Sequence, residues 1–325
     1  MSILDPRTPI SRRRALALSG GAAAGGLLSG ALPLTSAAAA AAPAKARESQ
    51  SGALPVDDME QILQAQGMVS KGVLSIDIER KDIGDVSGPL GVTFTPAFEI
   101  DGTLTFQPLG RGKAFFNGDV ALKPEETQQF IDAIIANGLI FQAFHQHYIE
   151  MSPNVWFIHW RGEGDPLRLA RAVKNVLDVT STPFPQMPPA HPTTPLDPDR
   201  LASILRGSAS VGDEGVVTVE IDRTDTIIID GIHVSPEANI STGVEFKPLS
   251  SSGSSAWASP DFSMESSEVM PVVTLMRAQG WFQGCLYNQE TNEHPQLFFD
   301  HMLKQGDAYT LAREIRRGLD LTDSE

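Results

Sequence analysis

Cysteine is almost missing from this chain: Cys285 is the only one in 325 residues. One thiol can form no intramolecular disulfide, no Cys-rich zinc site and no iron–sulfur cluster. Bases are scarce as well, with 25 Lys and Arg against 40 Asp and Glu. Five of them (Arg7, Arg12, Arg13, Arg14 and Lys45) precede residue 47 beside one acid, Asp5, so the remainder holds twenty bases against thirty-nine acids, a net −19. Such a chain repels the phosphates of DNA and RNA and anionic lipid headgroups, which excludes nucleic acid as a partner. No phosphate-cradling glycine loop, dinucleotide fingerprint or Gly-x-Ser-x-Gly elbow occurs, so a nucleotide cofactor is not expected. With 41% hydrophobic and 20% charged residues the chain is neither disordered nor fibrous, and it is long enough for two ordinary domains.

The first 46 residues stand apart. Ser11-Arg12-Arg13-Arg14-Ala15-Leu16 opens an Ala/Gly/Leu run through Leu28, Leu32 and Leu34 to the Ala37–Ala42 tract, and Ala44-Lys45-Ala46 offers an A-x-A cleavage site. The segment resembles a twin-arginine signal peptide over residues 1–46, with 47–57 as a linker. A transmembrane anchor is the competing reading, because the run exceeds roughly 18 residues. Its Ala and Gly content supplies little hydrocarbon transfer energy, and no second apolar stretch follows. The expectation is an exported protein, periplasmic or secreted, without stable membrane insertion after cleavage.

Self-comparison shows a tandem duplication. At a fixed offset, 136–180 aligns with 278–322 without a gap, and thirteen of forty-five positions are identical. Among them are Gly138/Gly280, Pro153/Pro295, Phe157/Phe299, His159/His301, Asp165/Asp307 and Leu169-Ala170-Arg171 against Leu311-Ala312-Arg313. Upstream, Ile76–Asp82 matches Val219–Asp225 and Phe106-Gln107-Pro108-Leu109 matches Phe246-Lys247-Pro248-Leu249. The copies span 58–178 and 200–320, with 321–325 as a tail. Between them, 179–199 is rich in proline, which denies it a helix or a central strand and makes it a semi-rigid linker.

Within copy one, Val73–Arg80 alternates apolar with polar and predicts a half-buried strand; 103–109 and 113–120 read as further strands. Lys123-Pro124-Glu125-Glu126 starts a helix with an apolar stripe (Phe130, Ile131, Ile134, Ile135) that Gly138 ends. Strands over 139–148 and 154–161 follow, then a helix capped by Asp165. Copy two repeats the order. This predicts an α+β fold: two tandem copies, each with helices packed on one face of a largely antiparallel sheet.

Gly118-Asp119-Val120-Ala121-Leu122, the helix ending at Gly138, Ala143-Phe144-His145-Gln146-His147, Ser152-Pro153 and Phe157-Ile158-His159-Trp160 together resemble the mycobacterial lipoproteins LppY and LpqO. The similarity covers nearly all of 58–320 and implies a duplicated extracytoplasmic domain of unknown function. This chain lacks that family's lipid-attachment cysteine and, in copy two, the paired histidines.

His145 and His147, two apart on a predicted strand, point to one face, and His159 on the returning strand falls opposite one of them. Opposed Cβ atoms about 4.5–5.5 Å apart let three imidazoles converge on Zn, Fe, Mn or Cu, with Glu150 or Asp119 as carboxylate ligand or base. The competing reading is that these histidines fill a solvated sheet face or bond within a core. Copy two aligns Tyr287, Gln289 and His301 with them, so packing does not require the paired imidazoles, although drift on a surface would give the same alignment. Arg80-x-Asp82 and Arg223-x-Asp225 read as ion pairs at strand ends. Trp156 and Trp281 read as core, which leaves Trp160 and Trp257 as a weak stacking platform. Gly138, His145, His147 and Glu150 loosely echo the first cupin motif, but the spacing differs and the flanking helices are foreign to that barrel. Two function classes follow: a metal- or small-ligand-binding exported protein, or a non-catalytic binding or scaffold module for a protein or glycan.

Overall fold

The computed structural model describes residues 52–189 and 191–325. The signal peptide expected over 1–46 lies outside the described residues. The first repeat runs α1 (Val56–Leu63), β1 (Met68–Ser70), β2 (Val73–Asp77), β3 (Thr103–Gly110), β4 (Lys113–Leu122), α2 (Thr127–Ala136), β5 (Ile140–His145), β6 (Trp156–Gly164) and α3 (Pro166–Leu177). The second runs α4 (Pro198–Leu205), β7 (Ser208–Val211), β8 (Val217–Ile221), β9 (Thr242–Pro248), β10 (Ser255–Glu265), α5 (Ser266–Ala278), β11 (Phe282–Tyr287), β12 (Leu297–Asp307) and α6 (Ala308–Leu319). The two six-stranded sheets have the same strand order, β1-β2-β3-β4-β6-β5 and β7-β8-β9-β10-β12-β11, with every neighbouring pair antiparallel. This is the α+β architecture that the repeat pattern predicts.

Alternation along the strands sorts side chains onto two faces. Leu74, Ile76, Leu104, Phe106, Phe116, Ile158 and Trp160 meet the helices α1, α2 and α3 in one core, and Val217, Val219, Val244, Phe246, Phe262 and Met302 meet α4, α5 and α6 in another. α1 and α4 are absent from the expected element order. Each has only two buried anchors four residues apart, Met59/Leu63 and Leu201/Leu205, too short a stripe to stand out in sequence. Asp165 and Asp307 cap α3 and α6 by accepting from the Arg168 and Thr310 amides, each at 2.9 Å. Arg80, fully buried, is clamped by Asp82 at 3.0 Å and Glu126 at 2.7 Å, and Arg223 repeats this with Asp225 and Glu268. Each clamp ties the end of the second strand of a repeat to the start of the helix after its fourth.

The other face of each sheet is polar: Asp77, Thr105, Gln107, Asn117, Asp119 and His159 in one, Glu220, Glu245, Ser259, Asp261 and His301 in the other. These faces are turned toward each other, so that the layers run helices, sheet, sheet, helices. The Asn117 amide donates to Glu290 at 2.6 Å and the Gln107 amide to the His233 carbonyl at 2.8 Å. The segment between β2 and β3 (Val86, Phe94, Phe98) packs against Val216, Trp257 and Leu303 of the other repeat. Its counterpart (Ile227, Ile229, Val234) packs against Phe115 of the first. Contacts are thus exchanged reciprocally, as in an isologous dimer. The linker is pinned to the first repeat, where the Gln186 amide donates to the Glu79 and Pro183 carbonyls.

Two expectations are corrected. Trp160 and Trp257 are buried and form no stacking platform, because they lie in packed layers. The net negative charge, from which repulsion of phosphates was expected, is not all on the outside: acids such as Glu99 and Glu290 are buried, since the duplication turns two half-polar faces inward.

Candidate metal centre

β5 ends at His145, so His147 is carried by the loop that follows the strand. A bulge between Phe141 and Ala143 places Ala143 opposite His159 and His145 opposite Phe157. The His145 ring has its centroid 5.2 Å from that of His147 and 5.1 Å from that of His159, so the three predicted imidazoles share one cluster. His145 Nε2 lies 3.0 Å from His159 Nε2, and the His145 ring stacks on Tyr287 of the other repeat with centroids 3.6 Å apart. His147 turns toward Glu99 and His301: its Nδ1 is 2.8 Å from Glu99 Oε2, and its ring stacks on His301 at 3.6 Å.

One ligand atom from each of Glu99, His147 and His301 falls within 4.8 Å of the others, and all three residues are buried. Two imidazoles and one carboxylate suit Zn, Fe or Mn and leave coordination positions open. Glu99 is held from behind by a hydroxyl pair, and a carboxylate lies near His301. The Ser259 hydroxyl donates to Glu99 Oε1, with the Tyr148 hydroxyl 2.8 Å from Ser259 Oγ. Asp261 Oδ1 lies 3.4 Å from His301 Nδ1, and the Tyr287 hydroxyl donates to the other Asp261 oxygen at 3.2 Å. Cys285 Sγ, 3.5 Å from His301 Nδ1, borders the same ring.

Of the predicted carboxylates, Glu150 is exposed on the loop, while Asp119 pairs with His159 across the sheet and accepts from the Thr103 amide at 3.2 Å and the Asn239 amide group at 3.1 Å. Glu99 was not foreseen, since it lies in the irregular segment between β2 and β3, where no periodicity points to it. His301 had a signal: it is the one histidine that both copies keep at the same position.

Burial governs the charge states. It pushes the pKa of His147 and His301 well below the usual imidazole value and that of His145 down to about 4, so the rings are neutral and able to bind a cation. It pushes Glu99 and Asp261 up and Asp119 up to about 7. Glu99 also has a left-handed backbone, φ 73°. For a residue other than Gly, Asn or Asp this costs on the order of 1–3 kcal/mol, and Gln64, Lys71, Leu90, Arg111, Arg206 and Glu214 share that conformation.

The molecule is thus a tandem-duplicated α+β protein with a buried His/Glu cluster at the junction of its repeats. The chain belongs to the family described as Domain of Unknown Function (DUF1259), whose model matches residues 57–179 and again 199–321. No curated protein and no solved structure matches it.

Proposed function

We propose that this is an exported metal-binding protein whose centre is Glu99, His147 and His301, one transition-metal ion being held between the two repeats. The observation that carries this reading is the convergence of the three buried donors within 4.8 Å, and the left-handed Glu99 backbone supports it. Zn, Fe and Mn suit two imidazoles and a carboxylate better than Cu does, and the open positions admit water or a small-molecule ligand. The twin-arginine pattern of residues 1–46 and the resemblance to LppY and LpqO support a periplasmic or secreted location. Among the described residues no helix is long and apolar enough to cross a membrane.

Elemental analysis of the purified chain tests the centre. About one metal per chain is expected, lost in Glu99→Ala, His147→Ala and His301→Ala and kept in His159→Ala. Loss in His145→Ala and His159→Ala with retention in His301→Ala would assign the metal to the three first-repeat histidines instead. A metal-free parent chain with an intact fold supports the scaffold reading. For export, the mature protein should begin after Ala46, and an intact mass that retains Met1–Ala46 overturns that.

A further inference from the structure

The relation between the repeats carries the centre onto a second position. It exchanges Glu99, His147, Ser259 and His301 for Asn239, Gln289, Asn117 and His159. Glu99 and Asn239 both have left-handed backbones, φ 73° and 63°, and each precedes the strand that pairs with β2 or β8. Asp119 faces His159 in register as Asp261 faces His301. The loop residues also behave alike: His147 bonds the Glu99 carboxylate, and the Gln289 amide donates to the Asn239 carbonyl. As at the first centre, the histidine comes from one repeat and the loop and turn residues from the other.

We propose that this position is a dormant twin of the metal centre, silenced by two exchanges: carboxylate for amide at Asn239, and imidazole for amide at Gln289. This rests on the metal reading above. The amides are occupied with each other and their neighbours. Asn239 donates to Asp119 at 3.1 Å, and Asn117 donates to Glu290 at 2.6 Å and to the Ala238 carbonyl at 3.0 Å. His159, the one donor left, meets His145. Asparagine is also the residue that a left-handed backbone tolerates, whereas glutamate at that φ is strained. The strained glutamate stands on the side that has the donors, and the tolerant asparagine on the side that lacks them. The chain is therefore a fused two-fold arrangement in which each centre spans both repeats and one of the two remains competent for a divalent transition metal.

The test restores the twin in the full chain while the first centre is disabled. His147→Ala alone should bind no Zn(II) or Co(II). Adding Asn239→Glu and Gln289→His should bring binding to about one equivalent per chain by mass spectrometry, with a nitrogen-ligated Co(II) absorption spectrum. A folded triple variant that binds no metal overturns the proposal. If the parent chain binds none, the metal reading of the first centre fails and the proposal falls with it, whereas a parent that binds one and a folded triple variant that binds none overturns the twin alone. Should circular dichroism show the triple variant unfolded, Gln289→His in the His147→Ala background carries the test. It adds a third imidazole beside the His145–His159 pair, so Cu(II) should bind at least about tenfold more tightly than in His147→Ala alone, and unchanged affinity overturns the proposal.

Discussion

Glu99 joins three costs in one residue: a left-handed backbone at φ 73°, a buried carboxyl, and a pKa raised because burial penalises its charge. Its bonds to Ser259 and His147 offset only part of them. Glu99→Asn should therefore abolish metal binding while leaving the metal-free chain as stable as the parent, or more stable by up to about 1 kcal/mol, since Asn accepts that φ. Glu99→Ala keeps the backbone strain and loses the bonds, and should cost at least about 1 kcal/mol. Denaturant unfolding in the presence of a chelator compares the two; equal destabilisation by both would show that the backbone strain is immaterial. This residue was not legible in sequence, because left-handed conformation and cross-repeat contact leave no periodic trace. His147 was legible, but as a strand residue; the strand ends two residues earlier and the loop re-aims it.

At the scale of elements, the centre depends on how closely the loop after β5 approaches β11. Gly284 makes that approach possible. A Cβ there would lie 2.6 Å from the His147 carbonyl oxygen and 2.8 Å from that of His301. Both obstacles are backbone, so they cannot rotate away. Gly284→Ala should displace the His147 loop, cost about 1–3 kcal/mol and weaken metal binding about 100-fold, as for other losses of ligand orientation. Calorimetric titration with Zn(II) reads both the affinity and the stoichiometry, and an unchanged affinity would show that the loop does not need this contact. Five of the six sheet strands of each repeat and the four longer helices were legible from alternation and stripes, and two caps from Asp165 and Asp307; the edge strands β1 and β7 were not. The bulge at Phe141–Ala143 was not, and it decides which residue faces His159.

Across the whole molecule, the polar space between the sheets sets the response to pH. Burial raises the pKa of Asp119 and Glu290 there to about 7, and elsewhere that of Asp300 to about 7 and of Glu293 to about 8. The folded chain thus keeps protons that the unfolded chain has released, and stability falls as pH rises through the window up to about 8. The buried imidazoles act oppositely: their lowered pKa values mean that the unfolded chain gains protons below about pH 6.5, so stability falls as pH falls there. Above pH 6.5 only the carboxyls titrate. The melting temperature of the metal-free chain should then decline from pH 6.5 to 8, and the gain on adding Zn(II) should grow, because binding needs the ionised carboxylate and neutral imidazoles. A metal-free melting temperature that rises over this window would mean that the inter-sheet acids are solvated as surface groups.

By itself the sequence determined the duplication, the order of the main elements and the lack of any intramolecular disulfide. Those properties follow from composition, periodicity and repeated identities, which are local or self-comparative. Only the tertiary structure decided that the polar faces of the two sheets meet, that His147 bonds Glu99, and that its ring stacks on His301 of the other repeat. The physical reason is that strand alternation fixes which face a residue occupies and says nothing of what lies across from it. A centre made from one loop, one left-handed turn and a strand of the opposite repeat exists only once the two sheets are packed together.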